Sequence, residues 1–144
     1  MKILLLVIKH QLANLEPLYA GIAEHADVDL RHLDSAEQSN LNHYFQQHID
    51  TSLYDRIILF LRFKREIRQV GFIRTIPNLV ILEHDACQNY YPESKYYGKF
   101  SRHYNDLPWV RVLTSGFQVA KKLEAEGHDS WFIPKPYDQT LLSN

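Results

Sequence analysis

Short runs of apolar residues alternate along this chain with segments that carry helical spacing. Six runs are predicted strands: Lys2–Ile8, Val28–His32, Arg56–Leu61, Leu79–Glu83, Val110–Thr114 and Ser130–Ile133. Several are almost continuous Ile, Leu and Val rather than alternating, the pattern of strands covered on both faces. The segments between them are long enough for crossover helices. Leu12, Leu15, Tyr19 and Ile22 predict a first helix over 12–25, with Pro17 marking its start or a kink. Ser35-Ala-Glu-Gln38 resembles a capping box and opens a second, with Leu41, Phe45, His48 and Ile49 on one side. A third from about Phe63 contains Gly71. The last is expected to be capped at Ser115-Gly-Phe-Gln118, to bury Ala120 and Leu123, and to end at Gly127.

Strand–helix alternation of this kind predicts an α/β fold, a Rossmann-like three-layer αβα sandwich on a mainly parallel sheet of about six strands. With 144 residues, 45% of them hydrophobic and 23% charged, the chain suits one domain with one core. There is no repeat, low-complexity tract or linker. The stretch 84–108 exceeds a simple βα connection, and stretches of that length within compact domains tend to be functional.

A net charge of −1 and a pI near 6.7 provide no global positive field, so no nucleic-acid partner is expected. The lone Cys87 excludes a disulfide framework and fits a reducing compartment. The apolar start, Ile3 to Ile8, is shorter than the roughly 7–15 residues of a signal-peptide core or the about 20 of a membrane span. The expected location is cytoplasmic, with peripheral contact at the inner face of the membrane.

In open parallel sheets, ligands bind beyond the carboxyl ends of the strands. That rule selects His10, Arg62, His84, Asp85, Ser115 and Lys135, a mixture of histidine, acid and cations that suits a phosphate-bearing substrate. His84 is a candidate general base, or a holder of a substrate hydroxyl, with Asp85 as a carboxylate beside it. A loop histidine and a turn-capping Asp85 explain the same pair. Tyr90 and Tyr91, ahead of Pro92, are candidates for stacking on a sugar face. Tyr96, Phe100 and Tyr104 recur every four residues and predict a helix that turns this stripe into the core.

The segment 62–74 carries Arg62, Lys64, Arg65, Arg68 and Arg74 against one acid, Glu66, with Phe63, Ile67 and Val70 as its apolar stripe. Polybasic segments attract acidic membranes, and a solvated helix face has the same composition. Other chemistry is absent from the sequence: there is no G-x-G-x-x-G, P-loop, H-x-x-x-H, C-x-x-C or G-x-S-x-G. No metal site is expected from the eight histidines.

The stretch from Val110 to Asp138 resembles the end of the N-terminal domain of GT-B glycosyltransferases of the group-1/family-4 and spore-maturation-like types. It has a strand, a Ser, a helix ending in Leu and Gly, a short strand, then Ile133-Pro-Lys-Pro-Tyr-Asp138. Lys135-Pro136 stands where the family has Asn-Gly. His84-Asp85 resembles the family's His-Asp below the acceptor cleft. This likeness implies an acceptor-side domain of an enzyme of cell-surface polysaccharide biosynthesis. Such an enzyme moves sugar from a nucleotide-sugar co-substrate to a glycan or lipid-linked acceptor, without bound metal or cofactor. The resemblance also implies a donor-binding C-terminal domain beyond this chain, which alone would be inactive. Thr114 with Lys135-Pro-Tyr-Asp138 also resembles the close of receiver domains, which makes a degenerate receiver-like signalling domain the alternative. Receiver chemistry needs an acidic pair after the first strand and an Asp ending the third. Here those places hold Lys9-His10 and Leu61-Arg62.

Overall fold

The computed structural model describes residues 1–8, 19–83 and 85–133. Its strands are β1 (Lys2–Ile8), β2 (Asp27–Leu33), β3 (Arg56–Phe60), β4 (Leu79–Glu83), β5 (Arg111–Thr114) and β6 (Asp129–Phe132). They form one six-stranded parallel sheet in the order β2-β1-β3-β4-β5-β6, flanked by helices, a Rossmann-like three-layer α/β sandwich. That is the flavodoxin-like order extended by a sixth strand. Internal contacts divide the chain into two compact units, Met1–Val80 and Ile81–Asn144.

In the first unit β1 lies between β2 and β3, with Leu5 opposite Leu30 on one side and Ile58 on the other. Leu4, Leu5, Leu6 and Val7 have no exposed surface, so both faces of β1 are covered. β2 is an edge strand and mostly half-exposed, which is why its apolar run is interrupted by Asp29, Arg31 and His32. Tyr54 Oη and the Arg31 guanidinium both donate to Asp29, at 2.5 Å and at 3.0–3.1 Å. The Arg31 hydrogen bonds, opposed in part by burial and helped by Tyr54, hold the Asp29 carboxyl below its ordinary range.

The helical segments differ from expectation at their ends. Residues 19–23 are helical, while Leu12, Leu15 and Pro17 lie outside the described residues. The second predicted helix is two, α1 (Ser35–Ser39) and α2 (Leu41–His48), broken where the Asn40 side chain caps α2 by accepting from His43 N. The capping box belongs to Asp34 rather than Ser35. Its carboxylate accepts from Glu37 N at 2.8 Å, and Glu37 accepts in return from Asp34 N at 2.9 Å. Carboxylate and amide satisfy one another one residue earlier than the Ser pattern suggests. Tyr44 rather than His48 completes the buried side of α2 with Leu41 and Phe45.

The Gly71 region folds as α3 (Phe63–Glu66), a 3-10 turn (Ile67–Gln69) and α4 (Val70–Ile73) instead of one helix. Gln69 ties the pieces together: its amide donates to Gln38 O and Arg65 O, and its carbonyl accepts from Leu41 N.

In the second unit, 84–108 carries a 3-10 turn (Ala86–Tyr90) and α5 (Lys99–Asn105). α5 buries Phe100 and Tyr104, while Tyr96 precedes it and meets Phe100 edge-on at 6.2 Å. α6 (Phe117–Ala125) buries Ala120 and Leu123. It ends at Gly127, whose φ of 98° is a left-handed conformation that glycine adopts without a Cβ clash. The N-cap of α6 is Gly116, not Ser115. A Cβ at Gly116 would lie 3.2 Å from Val119 Cγ2, and its N–H donates to Thr114 Oγ1 at 3.3 Å.

Two substitutions test this account by urea unfolding. Leu5→Ala should cost about 2–5 kcal/mol, because the cavity opens in a strand covered on both faces. Asp34→Ala should cost about 1 kcal/mol through loss of the α1 cap.

Candidate functional site

The residues selected from the sequence fall in both units, and each is described in its own. His10, His84 and Lys135 lie outside the described residues. In the first unit Arg62 occupies the N-cap position of α3, exposed and directly beyond the carboxyl end of β3. In the second unit Asp85 is exposed and precedes the Ala86–Tyr90 turn, with its carbonyl accepting from Gln88 N at 3.0 Å. The Asp85 side chain makes no cap hydrogen bond, so it does not cap the turn.

Tyr90 and Tyr91 part company. Tyr91 is 51% exposed. Tyr90 Oη donates to Glu126 Oε2, and Lys122 Nζ sits 4.9 Å from the Tyr90 ring centroid. Burial, helped by the bond to Glu126, pushes the Tyr90 hydroxyl pKa well up, so it stays a donor at neutral pH. Glu126 also accepts from Ser101 Oγ at 2.7 Å, and Ser101 exchanges two hydrogen bonds with buried Asn89. Tyr90 is thus a strut between the 86–90 turn and the C-terminal end of α6, with its hydroxyl already engaged. Ser115 is part-buried and precedes Gly116, the N-cap of α6.

Beneath the β4 carboxyl end lies a cluster that the sequence reading passed over. Glu83 is 2% exposed at the end of a wholly buried strand, and it accepts from Tyr104 Oη at 2.7 Å. The His103 ring lies 5.7 Å from Tyr104, and the His128 ring meets Tyr104 edge-on at 5.8 Å. Burial pulls the His103 pKa below its ordinary 6.5, and the negative charges of Glu83 and Asp106 offset this only in part. His128 is lowered in the same direction by burial. An acid closing the otherwise apolar run Leu79–Glu83 is the signal that could have revealed this cluster. A buried carboxylate requires a donor, and a tyrosine on the apolar stripe requires a partner for its hydroxyl.

A groove of about 460 Å³ runs beside the edge strand β6, lined by Phe117, Lys121, Glu124, His128 and Phe132 among others. None of the described residues selected from the sequence, Arg62, Asp85, Tyr90, Tyr91 and Ser115, is among those lining it. Among the described residues no group of histidine, cysteine and acids could hold a metal ion. Nor is any helix among them long and apolar enough to cross a membrane. No family model, curated protein or solved structure matches this chain.

Two measurements test the Tyr90 strut and the two histidines beside Tyr104. Tyr90→Phe should destabilise by about 1 kcal/mol, because it deletes a part-buried hydrogen bond to a carboxylate. Tyr91→Ala should change stability by less than about 0.5 kcal/mol. Because His103 and His128 have folded pKa values below 6.5, the unfolded chain binds protons first as pH falls. Stability should be full above pH 6.5 and decline as pH falls from there through the folded values, and His103→Gln should flatten that slope in unfolding series across pH.

Proposed function

We propose that this chain is the acceptor-side domain of a GT-B-type glycosyltransferase that moves sugar from a nucleotide-sugar to a glycan or lipid-linked acceptor. The sixth strand supports this reading best. β6 pairs in parallel with β5 and leads in the sequence into Ile133-Pro-Lys-Pro-Tyr-Asp138, as in the family it resembles. A receiver domain has five strands and carries Asp at the end of the third, whereas this sheet has six and β3 is followed by Leu61-Arg62.

The chemistry of such transfer is a displacement at the anomeric carbon. The acceptor hydroxyl forms the new glycosidic bond, the bond to the nucleotide diphosphate breaks, and a base takes the hydroxyl proton. In this reading His84 is that base or holds the hydroxyl, with Asp85 as its neighbouring carboxylate, and Tyr91 offers an exposed ring to a sugar face. Arg62, His10, Ser115 and Lys135 are candidate substrate contacts. The nucleotide-sugar is a co-substrate held mainly by a second domain, and no bound metal or cofactor is required. Holding donor and acceptor in line accounts for roughly 7–11 kcal/mol of such barriers, so one wall of the cleft is expected to be inactive alone. The proposed setting is the cytoplasm, at the inner face of the membrane.

NMR titration of the isotopically labelled chain with soluble acceptor oligosaccharides, and calorimetry with common nucleotide-sugars, test the proposal. Glycans should shift resonances at Asp85 and Tyr91, Tyr91→Ala should abolish those shifts, and donors should bind weakly without turnover. Sugar transfer with micromolar donor binding by this chain alone would overturn the half-enzyme account. Stable Mg²⁺-dependent aspartyl phosphate from acetyl phosphate would favour the receiver-like alternative.

A further inference from the structure

We infer that segment 62–74 of the first unit is a docking surface for acidic lipid bilayers. Arg62, Lys64, Arg68 and Arg74 are exposed. The one acid of the segment, Glu66, has no exposed surface, so no carboxylate within the segment faces solvent among the cations. Arg65 is drawn aside, donating to Ser35 Oγ at 2.9 Å and to Ser39 Oγ. What reads as five cations and an acid in the sequence is, on the surface, four outward cations.

The neighbouring α1 contributes Asp34 and Glu37, which the four cations outnumber and whose carboxylates are engaged in the capping box. The whole chain carries a net charge of −1, so this cationic patch is a local asymmetry. An acidic surface would therefore attract the chain by this segment and repel much of the remainder.

The form of the patch selects a bilayer over other anions. Single-stranded nucleic acid needs aromatic rings on which bases stack. Here Phe63 is buried and Phe72 packs edge-on against Phe45 at 5.2 Å, so neither ring is presented. A single phosphate needs a cradle of converging donors, and α3 and α4 have only four residues each. A plane of lipid headgroups requires only cations on long flexible stems spread over one surface. Surface charge alone carries this reading, so a chain without transferase chemistry would still bind such membranes.

Cosedimentation of the full chain with vesicles of mixed phosphatidylglycerol and phosphatidylcholine, against phosphatidylcholine alone, provides the test. At low ionic strength the acidic vesicles should bind at least about tenfold more chain, and raising salt to about 0.5 M should abolish the difference. Lys64→Glu and Arg68→Glu should each lower partition by about fivefold or more, with thermal melts showing an unchanged fold. Lys121→Glu, on α6 of the second unit, should leave partition unaltered. Equal binding to neutral vesicles, no binding to acidic ones, or indifference to Lys64→Glu and Arg68→Glu would overturn the inference. Tighter binding to a single-stranded oligonucleotide than to acidic vesicles at the same salt would overturn it in favour of nucleic acid.

Discussion

A strand in the middle of a parallel sheet has no face turned to water, and β1 meets that constraint along nearly its whole length. From Ile3 to Ile8 every side chain is buried, and β1 pairs in register with β2 and β3 on its two sides. Parallel neighbours cannot be joined by a tight hairpin, so each connection must cross over and cover the sheet. The helical layers follow from that requirement. So does the polar character of β2, which as an edge strand has less apolar surface to bury.

Several polar groups enter this interior with partners in place. Gln38 donates to Leu33 O at 2.9 Å, and Ser130 Oγ to Ala120 O at 2.5 Å, tying α1 to β2 and α6 to β6. Glu83 accepts the Tyr104 hydroxyl at the carboxyl end of β4. The connection after β4 is then braced by the Asn89–Ser101–Glu126–Tyr90 network, whose members come from the 86–90 turn, α5 and the end of α6. These bonds rigidify the base of that connection, while Asp85 and Tyr91 remain at its surface. A loop held from below and exposed above is a suitable place for recognition, because fewer side chains need ordering when a ligand arrives.

The sequence by itself determined the fold class and the six strands to within a residue or two at each end. Strand periodicity and length are local properties, and a run such as Leu79–Glu83 is too short and too apolar to be stable except inside a sheet. It also determined the end of α6 at Gly127 and the inward stripe of Phe100 and Tyr104. Only the tertiary structure decided which polar residues were structural and which were left facing outward. Tyr90 and Tyr91 are adjacent and chemically identical, yet Glu126, thirty-six residues away from Tyr90, engages one and not the other. Glu66 sits among cations in the chain, but burial removes it from their surface. Ser115 matches a cap by type, whereas Gly116 takes the N-cap position of α6. For Tyr90 and Glu66 the surroundings in space decide, rather than a property of the residue, and sequence periodicity reports faces of elements, not the contacts made across them.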